Sequence, residues 1–185
     1  MQLFNRQIFT GAISVAVFCI FLASSSGASE ADRKEKITID SNSQFADMNS
    51  DHLVFTDNVI IHQGSILITA DKVEVFQEKP ETKQHRKLVA YGSRKKLAVY
   101  EETLDDGTRV HAEGLKLSYD VTGQMVVVEG NGYIRKQDNE IHSEYITYDR
   151  KKNEMHASST SAGKTQQRVH TIIFPEQLEQ KQPKK

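Results

Sequence analysis

At 185 residues the chain has room for one domain, or at most two small ones once a targeting segment is subtracted. Its 24 Lys and Arg nearly balance 25 Asp and Glu, which excludes the basic face and high pI of a nucleic-acid binder. With one Cys and no Trp, it also lacks a disulfide framework and the aromatic platform on which sugars most often stack.

Residues 1–28 read as a cleavable signal peptide: a short n-region carrying Arg6, an apolar run from Ile8 to Ala23, and small residues ending at Ala28, the expected cut. The run is shorter than the roughly 20 apolar residues of a spanning helix and contains Gly11 and Ser14. Cys19 lies inside it behind the bulky Phe18, so no thiol chemistry is expected in the mature chain. Cleavage removes one of the 24 basic residues and none of the 25 acids, leaving a formal charge of −2. Residues 29–36 read as a flexible lead-in, 37–178 as the domain and 179–185 as a disordered charged tail.

From Ile37 to Phe174 the pattern is period-two alternation in short runs rich in Val, Ile, Tyr and Thr, which predicts strands. In chain order these include Ile37–Ile39, Leu53–Thr56, Ile66–Ala70, Leu115–Tyr119, Met125–Glu129 and Tyr145–Tyr148. Turns are expected at Gln63-Gly64, Asp106-Gly107, Asp120–Gly123, Gly130–Gly132 and Asp149–Asn153, whose residues tolerate positive φ or bond their own backbone. The basic clusters Arg86-Lys87, Arg94–Lys96 and Arg150–Lys152 read mainly as solvated turns, with contact to anionic lipid headgroups as the functional alternative.

Two features organise these strands. Val54–Phe76 aligns without a gap on Val127–Asp149 at an offset of 73, placing Asn58 on Asn131, Ile61 on Ile134, Ile68 on Ile141 and Asp71 on Glu144. The inward phase also slips by an odd number of residues at Asp71, at Glu113-Gly114 and at Glu144, which in an unbroken strand would turn the apolar side outward. Corners or bulges at these points keep it inward and imply stacked layers of short antiparallel strands. The end strands of such a stack stay unpaired.

Chemistry is sparse. The seven histidines form no close ligand pair, so no metal or other cofactor is expected. Ser161–Thr165 ends like a phosphate-binding loop but has Ser158 where the first glycine belongs. No nucleophile elbow accompanies the serines, and Asp105-Asp106 reads as a hairpin tip. The chain is expected not to be an enzyme.

The run Phe55–Val73 resembles the most recognisable stretch of the OstA-like/LptA family of periplasmic lipopolysaccharide transport proteins. Ile37–Ser41 with Asp47-Met48, Val128–Ile134 and Val169–Leu178 resemble further landmarks of that family, in order. The resemblance implies a twisted, open β-jelly roll whose apolar groove takes lipopolysaccharide acyl chains. It also implies head-to-tail copies joined by strand-edge pairing, between LptC at the inner membrane and LptD at the outer membrane.

On that reading Ile37, Ile39, Ile68, Leu97, Val99, Leu117, Tyr119 and Ile146 face inward and touch lipid. Ile37-Thr38-Ile39 and Thr171-Ile172-Ile173 form the assembly edges. Three other readings stay open: a membrane-anchored LptC-like relative, a carbohydrate-binding jelly roll or β-helix hydrolase, and a structural scaffold with a simply packed interior.

Overall fold

Alternation becomes strand after strand in the computed structural model, which describes residues 32–47, 49, 52–78, 86–161, 164–165 and 168–174. The expected signal peptide and charged tail lie outside the described residues. A single turn of 3₁₀ helix, Asp32–Lys34, precedes β1 (Thr38–Asp40), β2 (Ser43–Asp47), β3 (His52–Gln63), β4 (Ile66–Phe76), β5 (Lys87–Tyr91), β6 (Ala98–Thr103) and β7 (Arg109–Gly114). There follow β8 (Lys116–Asp120), β9 (Met125–Lys136), β10 (Asn139–Asp149), β11 (Glu154–Ser158) and β14 (His170–Ile172), with β12 (Thr160–Ser161) and β13 (Lys164–Thr165) as a small separate pair. All described pairings are antiparallel, giving the all-β, stacked-strand fold expected.

The long strands β3, β4, β9 and β10 each serve two layers, because the sheet bends across them. One layer runs β2, β3, β4, β5, β8, β9, β10, β11, using residues 52–56, 72–76, 125–129 and 145–149 of the long strands. The other runs β1, β3, β4, β6, β7, β9, β10, β14, using 59–63, 66–70, 132–136 and 139–143.

The bend has a local cause. Asp57-Asn58 stand opposite the single residue Asp71, and Gly130-Asn131 opposite the single Glu144, so each hairpin carries a two-against-one bulge. All four residues on the bulged strands have positive φ, at 63° and 53° in the first pair and 75° and 51° in the second. The 73-residue repeat is therefore a structural one: two hairpins with the same bulge at the same place. Asp71 and Glu144 are at the corners as expected, but the extra residues sit on the neighbouring strand.

Gly130–Gly132 is accordingly no hairpin turn; the chain reverses later, at Gln137-Asp138 between β9 and β10. At the third expected corner the strand ends outright, with β7 stopping at Gly114 and β8 starting at Lys116. Gly92 serves the same line: its N–H donates to Leu115 O at 2.9 Å, and a Cβ there would lie 2.2 Å from the Ala98 nitrogen.

Core residues are graded by size. Next to the corner of the second layer lie the small Ala70, Ala98, Gly114, Gly132 and Ser143, all buried, so the layers converge there. Larger inward side chains, including Ile68, Tyr100, Tyr119 and Tyr148, fill the wider space towards the strand tips. Fully burying one such aliphatic side chain contributes about 1.5–3 kcal/mol.

Candidate functional site

Because opposed residues on paired strands face the same side, the register fixes which side chains line the interior. In the second layer one inner row reads Ile39, Ile61, Ile68, Tyr100, Ala112, Ile134, Ile141, Thr171. In the first layer the facing rows read Phe55, Val73, Ala90, Leu117, Val128, Ile146, Ala157 and Leu53, Val75, Leu88, Tyr119, Val126, Tyr148, Met155. The interior is thus a continuous apolar strip crossing the molecule from one end strand to the other.

These rows bring together most of the residues expected to face inward. Ile68, Leu117, Tyr119 and Ile146 are at most 1% exposed within the core. Ile39 packs half-buried against its edge, and Ile37 lies beside it just before β1. Leu97 is half-buried in the loop that leads into β6. Val99 departs from expectation. It pairs with Thr69 and Glu113, so it shares the outer face with them while its neighbours Ala98 and Tyr100 are the buried ones. The inward phase of β6 is carried by Ala98, Tyr100 and Glu102, one residue away from Val99.

At the two ends the strip is incompletely covered. Ile37, Ile39 and Leu53 at one end, and Ile141, Met155 and Ala157 at the other, are only partly buried. A recess of about 450 Å³ opens at the first end, lined by Ile37, Ile39, Leu53, Val75 and Leu88, with Lys34 and Arg86 on its rim. Among the described residues each end also leaves two strands with one free edge: β1 and β2 at one, β11 and β14 at the other. Thr38 and Ile39 fall in β1, Thr171 and Ile172 in β14, with Ile37 and Ile173 immediately outside. Exposed large apolar side chains gather at these strands: Phe45 on β2, and Val169, Ile172, Ile173 and Phe174 in and around β14.

Sequence reasoning missed the polar centre of the interior. Arg150, placed among solvated turn residues, has no exposed surface, whereas Lys151 and Lys152 beside it are exposed. Its Nη2 and Nε donate to Glu102 Oε1 at 2.5 and 3.0 Å, and its Nη1 donates to the Tyr119 hydroxyl at 3.2 Å. Tyr100 donates to Glu102 Oε2 at 2.8 Å, and Tyr119 to Gln63 Oε1 at 3.4 Å. Asp32 closes the cluster: it accepts from the Ser65 N–H at 2.9 Å and hydroxyl at 2.5 Å, and lies 3.9 Å from Arg150 Nη2.

Phase was the available signal, since Arg150 continues the inward set Ile146, Tyr148, and Glu102 continues Ala98, Tyr100. Burial is the largest single influence on the guanidinium and would lower its pKa, but the Glu102 hydrogen bonds together with the Coulombic pull of Tyr100, Glu102 and Tyr119 outweigh it and keep the group charged. Burial pushes the Tyr119 phenol up to about 12, against the opposing pull of Arg150. Among the described residues no three His, Cys, Asp or Glu side chains are placed to share a metal ion.

Comparison with known proteins gives a consistent picture. Residues 38–154 match the family model described as LptA/(LptD N-terminal domain) LPS transport protein. The chain is similar to the lipopolysaccharide export system protein LptA of Haemophilus influenzae, 32% identical over 161 residues that span 87% of this chain and 90% of that protein. It is also similar to LptA of Escherichia coli K12, 34% identical over 154 residues, 83% of this chain and 78% of the relative. Among solved structures it resembles LptH, the LptA-homologous periplasmic component of the lipopolysaccharide transport device of Pseudomonas aeruginosa. The TM-score is 0.69 at 26% identity, covering 78% of this chain and 99% of that one.

Proposed function

This chain belongs to the LptA/LptD N-terminal-domain family of lipopolysaccharide transport proteins, and from that membership we propose that it is a non-enzymatic periplasmic carrier of lipopolysaccharide. The acyl chains lie between the two layers while sugars and phosphates stay in water. The observation that carries this reading is the continuous apolar strip, partly open at both ends and flanked there by unpaired strand edges.

Ile37, Ile39, Ile68, Leu97, Leu117, Tyr119 and Ile146 are the residues proposed to meet acyl chains. Val99, being outside, is not. An acyl chain of about a dozen carbons gains roughly 10 kcal/mol on burial, at about 0.8 kcal/mol per CH₂. A closed pocket of that depth would hold its lipid too long, whereas a strip of even affinity lets the lipid move along it. Headgroups stay outside because burying them without partners is costly.

Ile37–Ile39 and Thr171–Ile173 are the proposed assembly edges, adding a strand to the next member of the series by β-augmentation. A second copy, LptC at the inner membrane and LptD at the outer membrane are the partners this reading assigns. The signal peptide is cleaved, the mature chain bridges the two membranes, and the energy for movement comes from the inner-membrane complex.

A photo-crosslinking residue at Ile39, Leu97 or Tyr119 is expected to capture lipopolysaccharide. A folded protein that yields no lipid adduct from any of the three would overturn the proposal.

A further inference from the structure

At the corner the two layers are joined by the backbone, but at the strand tips they are held together by side chains. Arg150 stands just beyond the tip of β10 in the first layer, and Glu102 near the tip of β6 in the second. Their hydrogen bonds therefore span the side of the molecule opposite the corner. Tyr119 in the first layer and Gln63 at the tip of β3 in the second make a second tie. Asp32 adds a third, fastening the chain ahead of β1 to the β3–β4 turn and to the guanidinium.

Resting on the reading that acyl chains travel between the layers, we propose that this clasp of Arg150, Glu102, Tyr119, Gln63 and Asp32 is a gate that each lipid must open as it passes.

Two observations lead there. First, the interior between corner and clasp is already filled: Ile61, Ile68, Ala90, Tyr100, Ala112 and Leu117 are all at most 1% exposed. Packed interiors do not stretch, so an acyl chain enters only if the layers part. Second, a lipid with its chains inside and its sugars outside is threaded through the line where the tips face each other. The clasp lies across that line, between the recess at Ile37 and Ile39 and the partly covered end at Ile141 and Met155. No covalent link crosses it among the described residues.

The chemistry makes the gate two-state. Closed, Glu102 receives two hydrogen bonds from Arg150 and one from Tyr100, and both charges are dry. Open, both charges meet water. A half-open state, with one charge unpaired and still buried, is the costly one. The pair therefore either holds or releases completely, and the bulged corner is where the chain can flex.

Locking the clasp tests this directly. In a Cys19→Ser background, Glu102→Cys with Arg150→Cys is joined by a short bis-methanethiosulfonate, with a photo-crosslinking residue at Ile68 as the interior reporter and purified lipopolysaccharide as the probe. The locked protein is expected to load about tenfold more slowly than its unlinked form, and reductant, which removes the linker, to restore the rate. Loading that is unaffected by the linker would overturn the gate. Absence of capture in the unlinked protein as well would count instead against the carrier reading on which the gate rests.

Should the double variant not fold, Glu102→Gln weakens the clasp without changing its shape. It is expected to load several-fold faster than the parent, whereas Val89→Ala, a buried control that pairs with Glu74 and Ser118 on the outer face and is brought to the same stability, is not. Equal loading by the two variants would refute the proposal.

Discussion

Tyr119 and Tyr148 lie on one inner row, on either side of Val126, yet their hydroxyls meet different fates. The Tyr119 oxygen accepts from Arg150 and donates to Gln63, while the Tyr148 oxygen is buried with no hydrogen-bond partner among the described residues. Leaving a hydroxyl dry and unpaired costs about 1–3 kcal/mol. Tyr148→Phe should thus raise stability by about 1 kcal/mol, and Tyr119→Phe should lower it by a similar amount. Urea unfolding of the two variants measures both signs.

The same burial sets the alkaline limit of the fold. Tyr100, Tyr119 and Tyr148 are all held neutral above the ordinary phenol value of 10.0, Tyr119 up to about 12. A folded-state value raised above the unfolded one contributes stability that is complete below pH 10 and lost as pH rises through about 12. Tyrosinate absorbance should therefore show these three of the six tyrosines ionising only together with loss of the β-sheet circular dichroism signal.

At the scale of elements, the bulges decide the architecture. Asn58 and Asn131 occupy equivalent left-handed positions, with φ of 53° and 51°. Asn tolerates this region and Gly prefers it, whereas a β-branched residue is strained there by about 1–3 kcal/mol. Asn131→Val is expected to lower the urea midpoint and Asn131→Gly to leave it nearly unchanged; an equal loss for both would show that the side chain, and not the backbone, matters at this corner.

The corners were legible in the sequence because an odd slip in alternation has few explanations, and the 73-residue repeat placed two of them in register. What alternation could not show was which strand holds the extra residues. The phase on either side of Asp71 is the same whether Asp71 bulges or faces a bulge. Nor could it place the start of β6, where Leu97, Val99 and Glu101 alternate with Ala98, Tyr100 and Glu102. Leu and Val outweigh Ala in apolar character, so alternation alone turns Val99 inward, whereas Leu97, in the loop ahead of the strand, is half-buried without sharing the phase of β6.

Arg150 was hidden for a related reason. Beside Lys151 and Lys152 it reads as a charged turn, and only the existence of Glu102 across the interior gives its burial a rationale. A lone buried charge would not persist, and sequence alone does not put residues 102 and 150 face to face.

For the molecule as a whole, exposed edges are the dominant surface property. The large apolar side chains of β14 and its flanks, Ile172 and Ile173 among them, lie on an edge that other β proteins protect with charge. Ile172→Lys with Ile173→Lys should leave the monomer folded but suppress growth in size with concentration, measured by sedimentation velocity. Growth unaffected by the two lysines would place the contact elsewhere.

The bend also has a consequence for how such a molecule can be joined. A sheet with one free edge offers its partner a hinge: strands can pair while the two bodies swing about the shared line. Here each end presents two edges, one per layer, set apart by the width of the core. A neighbour that continues both layers is pinned along two separate lines, which removes the swing and fixes its angle as well as its position. Short edges of three and five residues, each weak alone, then give a joint that resists twisting.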